Sequence, residues 1–437
     1  MILNKKNKWI LFIAWMVLQA ILLSIFHDVS QFNDTIEAIT NATYCYENKV
    51  LSPNTSNIWD IYIQAPGFTN YLTLIYSIFG TFKAAQWIAL LMNGAIILEL
   101  YWLTNRLYSQ RVAIVATILY GIMLSNIFVS VYILSEVPFL FLSLSGLCLV
   151  IRGNIRHLLS GSLLFALAYT IKPLVLAFLL PSFALLFFRK CKLTHYIALL
   201  LPFILSLQIY ATYNEKTMGY RVTTSTTGGF NLCMSTTSPH PNFSVFKDST
   251  HCGYIPNNSK YTFAQKDSIR TRQAIGYIMQ HPIDYLKVCL RKPFWLFFMD
   301  TWSIPALTGI DDYQYAAKAD NPQHAHRTLY IIRCVWSIPY YIVCILFIFA
   351  LFKRKNDLLS ERGIILLVAL LGIGATCIFT VEERYKYPYM FIFVMWAASL
   401  FEKNFFSNNC QQIKELQESA ACNNQIGTYT SKNQVKF

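Results

Sequence analysis

The sequence predicts an all-α polytopic membrane protein, and three observations carry that prediction. Of 437 residues, 55% are hydrophobic and only 13% are charged, about half the ~25% charge of an ordinary soluble chain. Apolar stretches approaching the ~20 residues that cross a bilayer recur at 9–26, 84–105, 112–131, 136–151, 158–171, 173–188, 195–213, 329–352, 363–380 and 385–401. The Lys and Arg clusters between them all fall on one face of that ten-span arrangement. A formal net charge of +14 would suit a nucleic-acid binder, but not in a chain this apolar, so nucleic acid is excluded as a partner. Composition also excludes a disordered chain, a disulfide scaffold and a single small soluble domain.

The charge clusters fix the orientation, because Lys and Arg in short loops stay cytoplasmic. Lys5/Lys6/Lys8, Arg106/Arg111, Arg152/Arg156, Arg189/Lys190/Lys192, Lys353/Arg354/Lys355 and Lys403 then all lie inside, with both termini. The first span follows a basic start, as a signal peptide would. Its apolar run of about 18 residues exceeds a signal core and no small-x-small site follows, so a retained anchor is expected. Segments 68–79 and 294–299 are apolar enough to dip into the bilayer and are expected to be surface or re-entrant helices. The resulting organisation is an N-terminal bundle over 1–213 with an acidic first outer loop (27–66), an extracytoplasmic loop domain over 214–328, C-terminal spans over 329–401 and a cytoplasmic tail over 402–437.

The outer face holds the candidate chemistry. The first loop carries Asp28, Asp34, Glu37, Glu47 and Asp60 against Lys49. Asp34 and Glu37, three apart, share one face of a helix. A carboxylate just outside the membrane can deprotonate an acceptor hydroxyl or hold a metal beside a lipid-linked substrate. Solvated surface is the ordinary reading, kept for Asp28, Glu47 and Asp60, while for Asp34 both readings stand. Glu136 opens a span in the shortest outer loop, where it can cap the helix or project into a cavity; ionisable groups at membrane edges are functional by default. Lys172 precedes Pro173 in a tight outer turn. Snorkelling is the ordinary explanation, but positive charge is disfavoured on that side, which points to a phosphate counter-ion. Arg384, in Glu382-Glu383-Arg384-Tyr385-Lys386-Tyr387-Pro388, follows the same logic, against a mutual salt-bridge cluster; Arg is the better bidentate phosphate partner.

In the large loop, 273–281 and 283–290 read as amphipathic helices split at Pro282, with Ile275, Met279, Ile283, Leu286 and Leu290 on one face. Arg291, Lys292 and Pro293 then precede an aromatic run, as in an interfacial helix; packing within the loop explains the apolar residues equally. Cys233 and Cys252 share this loop and form either a disulfide or two free thiols. His240, His251, His281, His324 and His326 make no metal spacing. Sequons at Asn33, Asn41, Asn54, Asn242 and Asn257 matter only where the host glycosylates exported protein. The absence of a Gly-rich phosphate loop argues against nucleotide use, and no internal repeat is evident.

In their order and common outer placement, these motifs resemble the integral-membrane C-type (GT-C) glycosyltransferases of the protein-mannosyltransferase and aminoarabinose-transferase kind. The likeness runs from the first span to about residue 401: Asp34 in the first loop, Pro66-Gly67-Phe68 followed by Phe79-Gly80, Leu134-Ser135-Glu136-Val137-Pro138, Thr170-Ile171-Lys172-Pro173, the stretch from Arg272 to Lys292, and Glu383-Arg384-Tyr385 with Pro388. The sequence departs from that family in lacking an adjacent acidic pair, since Thr35 follows Asp34, and in having fewer spans and no soluble C-terminal domain.

The resemblance implies a GT-C-like bundle of about ten helices with surface helices in two outer loops. The implied activity is transfer of a sugar from a polyprenyl- or dolichyl-phosphate carrier to an extracytoplasmic lipid, glycan or protein, with inversion. Asp34 and Glu136 are then the catalytic candidates, and they would hold a divalent cation if one is used. Glu37, Tyr62, Lys172, Lys292, Arg384 and Tyr385 are the substrate-binding candidates. The expected location is a bacterial inner membrane, with the site on the outer face. The rivals are a flippase for a lipid-linked saccharide, against which the missing repeat stands, and a ligase or polymerase drawing on a lipid pyrophosphate.

Overall fold

The computed structural model describes residues 5–28, 31–51, 66–223, 225–239, 243–246, 251–256, 260–304 and 322–402, and those residues form helices and turns without a strand. The helices are α1 (Lys5–Phe26), α2 (Asn33–Asn48), α3 (Pro66–Phe79), α4 (Lys83–Leu107), α5 (Gln110–Ile122), α6 (Leu124–Phe128), α7 (Glu136–Arg152), α8 (Ile155–Ile171), α9 (Leu176–Phe188), α10 (Leu193–Met218), α11 (Gly228–Met234), α12 (Phe263–Gln280), α13 (Pro282–Phe298), α14 (Pro322–Trp336), α15 (Ile338–Lys353), α16 (Glu361–Ile378) and α17 (Met390–Ser399).

Large apolar side chains stay exposed around the bundle, among them Leu91 at 65%, Phe187 at 78%, Ile209 at 72% and Phe352 at 77%. An apolar girdle of that kind is incompatible with water and matches lipid. Four helices (within α1, α4, α10 and α16) are long and apolar enough to cross a membrane, and six segments are if each bent pair counts as one. The other apolar segments lie in shorter helices such as 155–171 and 173–188.

Two expected spans are corrected to bent pairs. α5 and the segment 124–131 meet at 70°, and the α14–α15 pair at 52°. At the second bend Pro339 sits in the first turn of α15, where its ring and missing N–H prevent a continuous helix. The first bend has no proline. Met123 is extended there, and side chains take up the freed backbone groups: Asn126 Nδ2 donates to the Tyr120 carbonyl at 2.8 Å and Asn93 Nδ2 to the Asn126 carbonyl at 2.9 Å. Re-satisfaction of this sort is what permits a broken helix at membrane depth. The expected span 385–401 is also corrected: 383–389 is a 3-10 turn containing Pro388, and the α-helix covers only Met390–Ser399. That helix is apolar on every side and buried along its length, as a central element must be.

Ion pairs and caps sort the chain ends into two sets. At one end, Arg189 makes a two-pronged contact with Glu361 (2.6 and 2.8 Å) and donates to the Ile151 carbonyl at 2.7 Å. Arg362 reaches the Leu107 carbonyl at 2.8 Å, and Arg354 pairs with Glu402 at 2.8 Å and caps the Ser399 carbonyl. Each arginine thus neutralises the partial negative charge of a helix C-terminus. The opposite end gathers Asp28, Asp34, Glu136, Lys172 and Arg384, through the pairs Asp28–Lys83, Asp34–Arg384 and Glu136–Lys172.

α7 and α8 cross where Gly146 faces Gly161. A Cβ at 146 would stand 2.8 Å from Phe165 Cε1 and 3.2 Å from the Gly161 carbonyl oxygen. Gly146→Val is therefore expected to lower stability by about 1–3 kcal/mol through overpacking. Gly374→Ala, where nothing lies within 4 Å, is expected to be neutral or slightly stabilising. Thermal melts of detergent-solubilised protein followed by size-exclusion chromatography read both; equal losses would refute the close-approach account.

Candidate functional site

The residues that the sequence singles out separately converge on the guanidinium of Arg384. Asp34 sits in the first turn of α2. That turn is tied to the neck before α7 by Thr35 Oγ1, which donates to the Ile133 carbonyl at 2.8 Å, and by Gln31 Oε1, which accepts from the Ile133 N–H at 2.9 Å. Glu136 is the first residue of α7 and 2% exposed. Lys172 is extended, as a residue before proline should be, and Pro173 starts the following 3-10 turn.

The ionic geometry is continuous. Arg384 Nη2 donates to Asp34 Oδ2, and Arg384 Nε donates to Glu382 Oε2 at 2.8 Å. The same Nε lies 4.0 Å from Glu136 Oε1, which accepts from Lys172 Nζ at 2.8 Å. Ser135 Oγ donates to the other Glu136 oxygen at 3.3 Å. The ring of Tyr385 lies 5.3 Å from Lys172 Nζ and 5.6 Å from the Arg384 guanidinium carbon, and Phe32 lies 4.9 Å from the latter, within cation–π range. Three carboxylates thus face two cations at one end of the bundle. Gly67 brings α3 against this turn: any side chain there would run into the Thr170 backbone, two residues before Lys172.

Exposure separates the roles. The Asp34 side chain is 27% exposed and that of Glu382 42%, against 2% for Glu136 and 6% for Arg384. Asp34 is therefore the reachable carboxylate and Glu136 the enclosed one. Glu37 lies one turn after Asp34 on α2. Tyr62 lies outside the described residues. Lys292 is placed elsewhere: it is fully buried in α13, and its Nζ donates to the Ser235 carbonyl at 3.3 Å and the Ile378 carbonyl at 3.5 Å. Its ammonium is thereby committed to the end of α16 rather than to the carboxylates. Among the described residues no three His, Cys, Asp or Glu side chains are grouped so as to hold a metal ion; between Asp34 and Glu136 stands the guanidinium.

Two features escaped the sequence reading. Asp300, which ends an aromatic run, pairs with Lys386 at 3.5 Å, with both nearly inaccessible. Ser125 Oγ donates to Asp300, the Asp300 N–H donates to Ser337 Oγ at 3.0 Å, and Lys386 also donates to the carbonyls of Met299 and Leu296. Beside them Glu383 accepts from both N–H and Oγ1 of Thr301, each at 2.9 Å. The ordinary reading of 382–386, a mutual salt-bridge cluster, holds only for Glu382, which pairs with Arg384, while Glu383 and Lys386 anchor the turn to the exit of α13. The signal that could have found this pair is a lone acid closing an otherwise apolar segment. The second feature is Glu99, inside α4, hydrogen-bonded by Ser145.

Removing one partner of a buried pair strands a charge. Lys386→Met is expected to destabilise by about 3–5 kcal/mol, and Asp300→Asn with Lys386→Met to recover most of that loss; equal melting temperatures for the single and double variants would contradict the pairing. Burial holds the Lys292 amine below its ordinary 10.5, at about 8. Between those values the unfolded chain binds the proton and the folded chain does not, so stability rises with pH across that window. The difference between wild type and Lys292→Met, measured by melts from pH 7 to 10.5, should show that rise; a flat difference would contradict it.

No protein-family model matches the chain, and no curated protein matches it. Three chains among solved structures do. One is the archaeal oligosaccharyltransferase AglB from Archaeoglobus fulgidus, in complex with an inhibitory peptide and a dolichol-phosphate, at 11% identity and a TM-score of 0.46. The match covers 94% of this chain and 52% of that one, so this chain spans about half its length. At that similarity no inference about this chain's chemistry rests on the likeness.

Proposed function

We propose that this chain is an inverting membrane glycosyltransferase that moves a sugar from a polyprenyl- or dolichyl-phosphate to an acceptor outside the membrane. The observation that carries the reading is the meeting of Asp34, Glu136, Lys172 and Arg384, drawn from four distant parts of the chain, at one end of an apolar bundle. A lipid-phosphate sugar presents the matching chemistry: an apolar tail for the bilayer, an anion at its surface and a reactive carbon just beyond. The apolar segments cross the bilayer, two of them as bent pairs and the last as a 3-10 turn continued by a short helix, and the carboxylate end faces outward.

In this reading Asp34 is the general base. Its carboxylate takes the proton of the acceptor hydroxyl as that oxygen bonds to the anomeric carbon and the bond from that carbon to the phosphate oxygen breaks. Lys172 and Arg384 stabilise the charge that accumulates on the departing phosphate, an electrostatic contribution of several kcal/mol in a site poor in water. Arg384 exchanges carboxylate for phosphate partners on donor binding, freeing Asp34. Glu136 holds Lys172 in place, and Tyr385 and Glu37 line the approach.

The test uses purified protein in nanodiscs with a panel of radiolabelled polyprenyl-phosphate sugars, following release of free polyprenyl phosphate. Asp34→Asn is expected to cut release by about 10²–10⁴-fold with folded yield unchanged, and Lys172→Met to cut release per folded molecule by about 10²–10³-fold, with a lower yield because the enclosed Glu136 then loses its partner. Full activity in Asp34→Asn would remove it as the base. The second reading, a flippase, is favoured by the two bent pairs, since transporters build sites from broken helices. Donor binding without release in any variant, together with donor movement between leaflets, would establish it instead.

A further inference from the structure

The large loop has its own small apolar core, in which Cys233, Val245 and Ala274 are buried against Leu232, Phe246 and Cys252. Cys233 belongs to α11 and is fully buried; Cys252, in the turn that returns to α12, is half-buried. Cys252 Sγ lies 3.2 Å from Thr236 Oγ1 and 3.8 Å from the Cys233 carbonyl oxygen, and Cys233 Sγ donates to the Arg270 carbonyl at 3.3 Å.

Neither backbone depends on the sulfurs for its place. Gly253 has φ +103° and packs directly on Cys233: a Cβ there would stand 3.3 Å from Cys233 Cβ and 2.8 Å from Phe246 Cδ1. Gln273 of α12 holds the same turn, accepting from the Gly253 N–H at 3.3 Å and donating to the Tyr254 carbonyl at 3.0 Å. The thiols are thus already adjacent, so little ordering remains to be done by a covalent bond.

We propose that Cys233 and Cys252 form a disulfide in an oxidising compartment outside the membrane, stapling the loop segment that latches onto the end of α16. The proposal rests on the outward placement of the loop and not on the sugar-transfer chemistry. The oxidant is the disulfide of a thiol oxidoreductase. Cys252 attacks it as thiolate, giving a mixed disulfide; Cys233, deprotonated, then attacks the Cys252 sulfur and expels the oxidant's second thiolate. Two thiols lose two protons and two electrons, and the oxidant becomes a dithiol. Cys252 goes first because it is the more accessible, and because the neighbouring Cys233 thiol holds its own below the usual thiol range.

The staple bears on the site through Ser235, two residues beyond Cys233. Ser235 Oγ donates to the Ile378 carbonyl at 3.1 Å, and the Ser235 carbonyl accepts from Lys292 Nζ at 3.3 Å. Tyr285 OH donates to the same Ile378 carbonyl at 2.7 Å. This junction ties α11 and α13 to the C-terminal end of α16, four residues before Glu382.

The experiment is differential alkylation. Cells making the full chain are quenched under denaturing conditions with N-ethylmaleimide; the protein is then reduced, treated with iodoacetamide and mapped by peptide mass. Cys233 and Cys252 should carry the second label in wild type, and Cys252 should carry the first in Cys233→Ser. The first label on both cysteines of wild type, or a Cys252 that stays blocked in Cys233→Ser, would overturn the proposal. Neither readout uses donor turnover, so failure here leaves the Asp34 assay to judge the transferase reading by itself.

Discussion

The Arg384 guanidinium imposes the constraint that organises the carboxylate-bearing end of the bundle. A cation enclosed to this degree must have its donors occupied, and here they are occupied by side chains from α2 and from its own turn, with the first residue of α7 close by. The partners are useful only if their backbones are fixed, and each is. The start of α2 is tied to Ile133, the Lys172 turn is closed against Gly67, and the 383–389 turn is bolted to the exit of α13 by Asp300, Thr301, Glu383 and Lys386. Loss of any one would leave a buried charge short of a partner.

The charge balance explains why the arrangement is a resting one in the proposed reaction. Asp34, Glu136 and Glu382 carry three negative charges against the two positive charges of Arg384 and Lys172. A phosphate arriving beside this excess is repelled unless a carboxylate gives up its hold on a cation. Glu136 is enclosed and pinned by Lys172 and Ser135, whereas Asp34 and Glu382 reach solvent. Release of Arg384 toward an anion therefore falls to those two, and in the proposed mechanism it uncovers Asp34 at the moment a base is needed.

Much of this was legible in the sequence because the signal is local. Asp34, Glu136, Lys172 and Arg384 are charged residues at the ends of apolar segments, with prolines beside Glu136, Lys172 and Arg384 to mark the turns. What was not legible depends on pairing across the chain. Lys386 lies two residues from Arg384 and looks equally available, yet Asp300 claims it. Lys292 looks like an interfacial cation, yet two backbone carbonyls claim it. The bend at Met123 leaves no mark because its freed carbonyls are satisfied by Asn126 and Asn93, whose roles appear only when α4 and α5 are side by side. The shortening of the last span follows from Pro388, a breaker visible in the sequence within the expected span 385–401.

Two acid–base constellations therefore share one end of the bundle, and burial decides which of them can meet a substrate. Asp300 and Lys386 have side chains 5% and 1% exposed; the acid accepts from Ser125, the Asp300 backbone N–H donates to Ser337, and the amine rests on two carbonyls. With its charges paired to each other and to these partners, the pair fixes geometry. Asp34 and Arg384 form a pair of the same kind, but with its acid 27% exposed and Glu382 already holding the same cation. A closed pair holds a turn in place; an open pair of the same charges can exchange partners. Lys386 lies two residues beyond Arg384, and in the proposed mechanism its fixed position lets Arg384 exchange carboxylate for phosphate without losing its place.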